Sequence, residues 1–172
     1  EFQPIIHNFL NRLLVDICAD NNITDEEEKS INAACEFLKP SQQIKDEIKQ
    51  RITRVKTLQK IKSGQITHIA SGSLITKTDE MIWHKNNNAN LVRDLQTRRD
   101  LHRGEIFITS QRVIFQSREH PVEIPLSNIL SVESNITTVF INGKNKKSTC
   151  QFKVAEPDMV EAYLEQAIAK FH

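Results

Sequence analysis

The stretch from Gly104 to Glu133, GEIFITSQRVIFQSREHPVEIPLSNILSVE, constrains the chain most, because apolar and polar residues alternate along it at period two. Ile106 and Ile108 share one face. After a break at Thr109-Ser110-Gln111 come Val113 and Phe115, then Val122, Ile124 and Leu126. Successive side chains leave a strand on opposite sides, so this pattern marks half-buried antiparallel strands rather than helix. The breaks at Thr109-Ser110-Gln111 and Arg118-Glu119-His120-Pro121 carry the residues of tight connections. A three-stranded meander is expected, with Gly104 opening a central strand and Ile106, Ile108, Val113 and Phe115 in the core.

The N-terminal third follows a different period. Ile5, Ile6, Phe9, Leu10, Leu13, Leu14 and Ile17 form a wide apolar stripe on an amphipathic helix that ends at Asp20-Asn21-Asn22. Thr24 with Glu27 three residues on is a capping box, and Asp25, Glu26 and Glu27 suit the positive end of the helix dipole. The second helix buries Ile31, Ala34, Cys35 and Leu38 and stops before Pro40. A third, from about Ser41 to Lys62, keeps Ile44, Ile48, Ile52, Val55 and Leu58 on one side and Lys45, Lys49, Lys56 and Lys60 on the other. Three short-looped helices can form a small bundle.

Gly64 marks the change of period, so the expected division is a helical bundle over 1–63 and a β-rich domain over 64–172. Ile66 to Ile69 starts or docks against the first strand, Glu80 to Lys85 is the next strand, and Asn86 to Arg103 reads as polar hairpin or loop. Ser131 to Ile141 supplies another strand, Asn142-Gly143 a hairpin signal, and Ser148 to Val154 the last strand. Pro157 opens a final helix whose Met159, Val160, Tyr163, Leu164, Ala167, Ile168 and Phe171 cover the sheet. The fold class is α+β.

The wording of the central stretch is more specific than a strand pattern requires. A Gly before "hydrophobic-x-hydrophobic-Thr-x-x-Arg-hydrophobic-hydrophobic-Phe", then "Ile-Pro-Leu-x-x-Ile-x-x-Val", resembles the GRAM and pleckstrin-homology (PH)-like families over about residues 65–172. The resemblance implies a bent seven-stranded sandwich or barrel closed at one end by a C-terminal helix, a scaffold that serves many unrelated partners. Its lipid-binding members carry K-x-n-K/R-x-R across the first hairpin; only Lys77 and Lys85 stand there, so that motif does not carry over. Ala19 to Glu27 resembles the "A-D-G-x-I-x-x-x-E" hinge of TerB-like helical domains, with Asn in place of the usual Gly. That second resemblance covers residues 2–60. It brings in a Ca²⁺ or Mg²⁺ site at Asp20, Asn22, Thr24 and Glu27. Capping accounts for the same residues, and EF-hand spacing fails because Asp25 and Ile31 stand where Gly and Glu are required. No metal and no cofactor are expected.

A formal net charge of +1 lacks the basic footprint of a duplex nucleic-acid binder. It conceals an acidic head, eight acids against three bases in residues 1–40, and a basic connector, two acids against seven bases in 41–64. Cys18, Cys35 and Cys150 are widely spaced with no C-x-x-C, so neither zinc ribbon nor disulfide framework is indicated, and a cytoplasmic setting is the simplest reading. No apolar run reaches membrane-spanning length and no secretory signal is visible. The chain starts at Glu1 rather than Met, as a piece of a larger protein does. The six histidines show no H-E-x-x-H spacing, and four glycines build neither a Walker loop nor G-x-G-x-x-G, so no enzyme is expected.

Two cationic clusters are candidates for anion binding: Lys85, Arg93, Arg98, Arg99, Arg103 and Arg112 around the polar loop, and Lys144, Lys146 and Lys147. A solvated loop surface accounts for the same residues, with Arg112 pairing Glu105 or Glu123 across strands. The functional expectation is a non-catalytic docking module for a protein partner or acidic surface. The alternative is a phosphoinositide- or anionic-lipid-binding module peripheral to the membrane.

Overall fold

A computed structural model describes residues 2–20, 22–70, 74–94 and 99–171, with the side chains of Asp94 and Arg99 left aside. The chain divides into two compact units, residues 1–63 and 64–172.

In the first unit, α1 (Gln3–Ile17), α2 (Asp25–Leu38) and α3 (Gln42–Lys62) enclose Leu10, Leu14, Ile23, Ile31, Ile44, Ile48, Ile52 and Val55. The capping box at α2 is complete: Glu27 N–H donates to Thr24 Oγ1 at 3.2 Å and Thr24 N–H to Glu27 Oε2 at 2.8 Å. The α1 stripe is wider than what it buries. Leu10 and Leu14 are enclosed, whereas Ile5 and Phe9 stay 65% and 54% exposed, because only part of a stripe seven residues wide meets the other two helices.

The second unit is a seven-stranded sheet and one long helix. The strands are β1 (Ile82–Asp94), β2 (Arg99–Thr109), β3 (Arg112–Gln116), β4 (Val122–Pro125), β5 (Ile129–Ser134), β6 (Thr138–Gly143) and β7 (Cys150–Lys153). Their order is β4-β3-β2-β1-β7-β6-β5, with every pair antiparallel. The closing helix α4 (Pro157–Phe171) packs on β5, β6, β2, β1 and the 3₁₀ turn Leu126–Asn128. Its Val160, Leu164 and Ala167 enter one core with Trp83, Leu91, Ile106, Ile108, Val113, Phe115, Ile124, Val139, Ile141 and Phe152. The α+β architecture and the helix-closed seven-stranded sheet are as expected, and the four meander residues are buried to within 1%.

Several boundaries differ from the sequence reading. Of the two expectations for Asn86 to Arg103, hairpin or loop, the hairpin holds, with more strand than the sequence reading assigned: β1 runs on to Asp94 and β2 begins at Arg99. Most of that stretch is polar and its core face shows only Ala89 and Leu91, so the alternation is short, yet it pairs in register from Ala89↔Gly104 to Asp94↔Arg99. The hairpin therefore carries Arg93, Arg99 and Arg103 as well as Lys85. Register shifts at Ile82/His84 and Asn86/Ala89 bend β1, as bulges do.

Gly104 lies inside β2 rather than opening it. A Cβ there would stand 2.4 Å from the Gln116 carbonyl and 2.7 Å from the Phe115 ring, so close packing excludes a side chain. Ser131 to Ile141 is two strands, divided where Asn135 Oδ1 accepts from the amides of Thr137 and Thr138. Asn142-Gly143 continues β6 and the reversal comes after it. Ile66 packs on the core, and Ile69 makes a single bridge to Ile82.

Candidate anion-binding cleft

The candidate cations fall into three fates. Lys85 is spent within the sheet: it pairs with Glu105 at 3.1 Å and lies 5.2 Å from the centre of the Phe107 ring. Arg103 donates to Asn88 Oδ1 at 3.1 Å. Arg112 is the most committed, only 8% exposed and held to Glu80 through Nε and Nη2 at 2.8 Å each and to Glu123 through Nη1 at 2.8 Å. Of its expected partners it takes Glu123, while Glu105 goes to Lys85. Glu80 went unforeseen because it lies 32 residues away in sequence.

The Glu80 carboxylate is itself buried, and desolvation would raise its pKa. Hydrogen bonds from Arg112, the Lys77 amide and the Thr109 hydroxyl outweigh that and hold it at about 2. Hydrogen bonds from Arg112 bring Glu123 down as well, against a smaller effect of burial. Arg112 is therefore a structural cation, and an anion could take it only by displacing a carboxylate.

Arg93, Lys146 and Lys147 are brought together. Arg93 is exposed near the end of β1, paired in register with Asp100, and the two lysines stand in the loop between β6 and β7. All three line one cleft of about 890 Å³. Its walls come from Leu91 and Val92 of β1, Pro121 and Val122 at the start of β4, and Cys150 of β7, with Glu123 also in the lining. This is the volume range of small-ligand sites, with apolar walls and a few convergent charges. Lys144 sits in the same loop, outside that lining, its amide donating to the Asn128 carbonyl at 2.9 Å. Arg98 lies outside the described residues, and Arg99 is placed by its backbone alone.

The lysine loop is built rather than slack. Asn145 Oδ1 accepts from the amides of Lys147 at 3.0 Å and Ser148 at 3.1 Å, an Asx turn that fixes the backbone carrying the lysines. Ser148 is 3% exposed and its hydroxyl would lie 2.2 Å from a Cβ on Gly143, so glycine alone fits there. Thr149 Oγ1 accepts from the Gly143 amide at 3.1 Å and closes the turn. The Cys150 thiol in the wall is pushed up from its ordinary pKa by desolvation, partly countered by the Arg93 charge. It is a thiol at neutral pH and a poor nucleophile. Sequence reasoning had named the three cations without their grouping, and it missed the apolar walls, because strands β1, β4 and β7 supply them from three separate regions.

No family model matches the chain, and no curated protein matches it. Solved structures similar to it include the Vps36 N-terminal PH domain, at 18% identity over 60% of this chain and 90% of that one, with a TM-score of 0.46. A C-terminal domain of an unknown protein from Leishmania infantum is 14% identical over 54% of this chain and 87% of its own, with a TM-score of 0.43. The linker-DH/PH domains of p115-RhoGEF are 10% identical over 96% of this chain and 55% of theirs, with a TM-score of 0.42.

Proposed function

We propose that the 64–172 unit is a non-catalytic docking module that receives an acidic segment of a partner protein in the cleft between Arg93 and the Lys146–Lys147 loop. The GRAM- and TerB-like wording of the sequence supports a module of a larger, cytoplasmic protein. The observation that carries the reading is the convergence of these three cations on an apolar-walled cleft, while Lys85, Arg103 and Arg112 are engaged internally. Apolar walls favour a peptide that buries a side chain beside its carboxylates. Glu123 in the lining disfavours a polyphosphate group, although its charge is met by Arg112 and Lys77.

Anionic lipid is the second reading, favoured by Leu101. It is 53% exposed on β2, one register step from the Arg93↔Asp100 pair, where an apolar side chain could enter a bilayer. Against it, the most exposed apolar turn residue among the described residues, Ile136, precedes β6 while the lysine loop follows it. An extended strand of that length separates the two by on the order of 20 Å, so they do not share one membrane face.

The test is fluorescence anisotropy of a labelled Asp/Glu-rich peptide containing Leu and Phe, beside co-sedimentation with phosphatidylserine vesicles, each at low and high salt. Replacing Arg93, Lys146 and Lys147 together by Ala should weaken peptide binding about 10-fold or more, at up to about 1 kcal/mol per exposed pair. Lys85→Ala with Arg103→Ala should change it little. Vesicle binding without peptide binding would select the lipid reading, and absence of both would remove the docking proposal.

A further inference from the structure

Two histidines on successive elements of the β2–β3–β4 meander meet in the fold. His102 lies on β2, opposite Leu91 of β1, and His120 ends the turn between β3 and β4; their ring centres are 3.8 Å apart at 61°. Glu119 stands beside them. One ligand atom from each of the three lies within 4.8 Å of the others, and among the described residues no other group of His, Cys, Asp and Glu side chains meets that condition.

We propose that His102, His120 and Glu119 form a binding site for a divalent late transition-metal ion, with Zn²⁺ as the test ion. Two imidazoles and one carboxylate are borderline nitrogen and oxygen donors, which suit Zn²⁺, Ni²⁺, Co²⁺ and Cu²⁺ rather than Mg²⁺ or Ca²⁺. Bonds of about 2.0–2.2 Å in a tetrahedral site put ligand atoms about 3.4 Å apart. The three side chains therefore need to close by an ångström or so. Glu119 is exposed, and rotation of its side chain supplies the larger share.

The two imidazole carriers are already positioned. The Ser117 hydroxyl donates to the Arg103 carbonyl at 3.1 Å and ties the turn to β2 beside His102. Pro121, following His120, confines the His120 backbone to extended conformations. Three protein ligands leave a fourth position for water. The bound ion clamps the β3–β4 turn onto β2, and the residues that follow the turn, Pro121 and the first β4 residue Val122, form one wall of the cleft.

The experiment uses the 172-residue chain without a histidine tag. Isothermal titration with Zn²⁺ should give one saturable site and a raised melting temperature. Co²⁺ should give the intense visible bands of a four-coordinate ion. His102→Gln and His120→Gln should each lower Zn²⁺ affinity at least about 10-fold, the double change about 100-fold or more, and Glu119→Gln by a smaller factor. Circular dichroism of each variant confirms its fold, and the Co²⁺ spectrum of the parent needs no variant. No saturable Zn²⁺ binding, an aquo-like octahedral Co²⁺ spectrum, or Zn²⁺ binding that survives the double histidine change overturns the site. Affinity unchanged by Glu119→Gln overturns the three-ligand assignment.

Discussion

Replacing Glu80 by Gln tests the buried ionic knot. Glu80 is 7% exposed and accepts two hydrogen bonds from Arg112, itself 8% exposed, and one each from Thr109 and the Lys77 amide. Gln keeps the shape but removes the charge, leaving the Arg112 guanidinium with Glu123 alone. Two routes give the magnitude. Removing one partner of a buried pair costs about 3–5 kcal/mol. Independently, the fall of the Glu80 pKa from 4.5 to about 2, at about 1.4 kcal/mol per pH unit, corresponds to about 3 kcal/mol. Glu123 adds little because it is 47% exposed and screened. Trp83, the one tryptophan and 5% exposed in the same unit, reports unfolding in urea. At pH 7 the variant should lose about 3 kcal/mol. The sign with pH follows from a depressed carboxyl: the stabilisation is complete above pH 4.5 and lost as pH falls from 4.5 towards 2. The parent should lose stability across that window more steeply than the variant. A loss below about 1 kcal/mol at pH 7, together with identical slopes below pH 4.5, would refute the knot as a source of stability.

Other outcomes follow from single contacts. Gly104→Ala should destabilise the second unit by about 1–3 kcal/mol or more, read as a lower urea midpoint, since its Cβ meets backbone and a buried ring; an unchanged midpoint would mean Phe115 packs differently. Thr24→Ala should cost about 1 kcal/mol in the helical unit, followed by circular dichroism. Burial lowers the His84 pKa to about 4, and its ring stacks on Tyr163 at 4.6 Å with Nε2 buried and unpartnered. Because the unfolded chain takes up that proton first, stability should fall as pH drops from about 6.5 to about 4. His84→Phe should flatten that part of the melting-temperature profile, and an unaltered profile would place the titration elsewhere.

Legibility followed the apolar pattern. Val113, Phe115 and Ile124 declared their strands because one face of each is core, and Thr24 with Glu27 declared a helix start by local chemistry alone. The middle of the first hairpin hid itself: Asn86, Asn87, Asn88 and Asn90 are poor strand formers, carried by the pairing of Asn86 and Asn90 with β2 on either side of a bulge and by the buried Ala89 and Leu91. The cleft and the histidine pair were hidden for another reason. Arg93 joins Lys146 only after strands distant in sequence are laid side by side, whereas His102 meets His120 through the register of the β2–β3 hairpin, which the apolar pattern alone does not set. Arg112 looked like a surface cation because its counter-charge, Glu80, precedes a whole hairpin.

The knot also changes the character of the segment that enters the sheet. Residues 75–80 belong to no strand, and Ile75 is 89% exposed, so by outward signs this is a place to insert a tag or expect a protease cut. Its backbone is nevertheless lashed down. Arg112 donates to the Ile75 carbonyl, Gln111 to the Thr78 carbonyl, and the Lys77 amide points into a buried carboxylate. Such a coil opens with the whole unit rather than by itself. The Lys77 and Glu80 amides, which donate to the Glu80 carboxylate and to the Lys77 carbonyl, should therefore exchange with solvent far more slowly than an exposed coil does, and an insertion there would act as a core mutation.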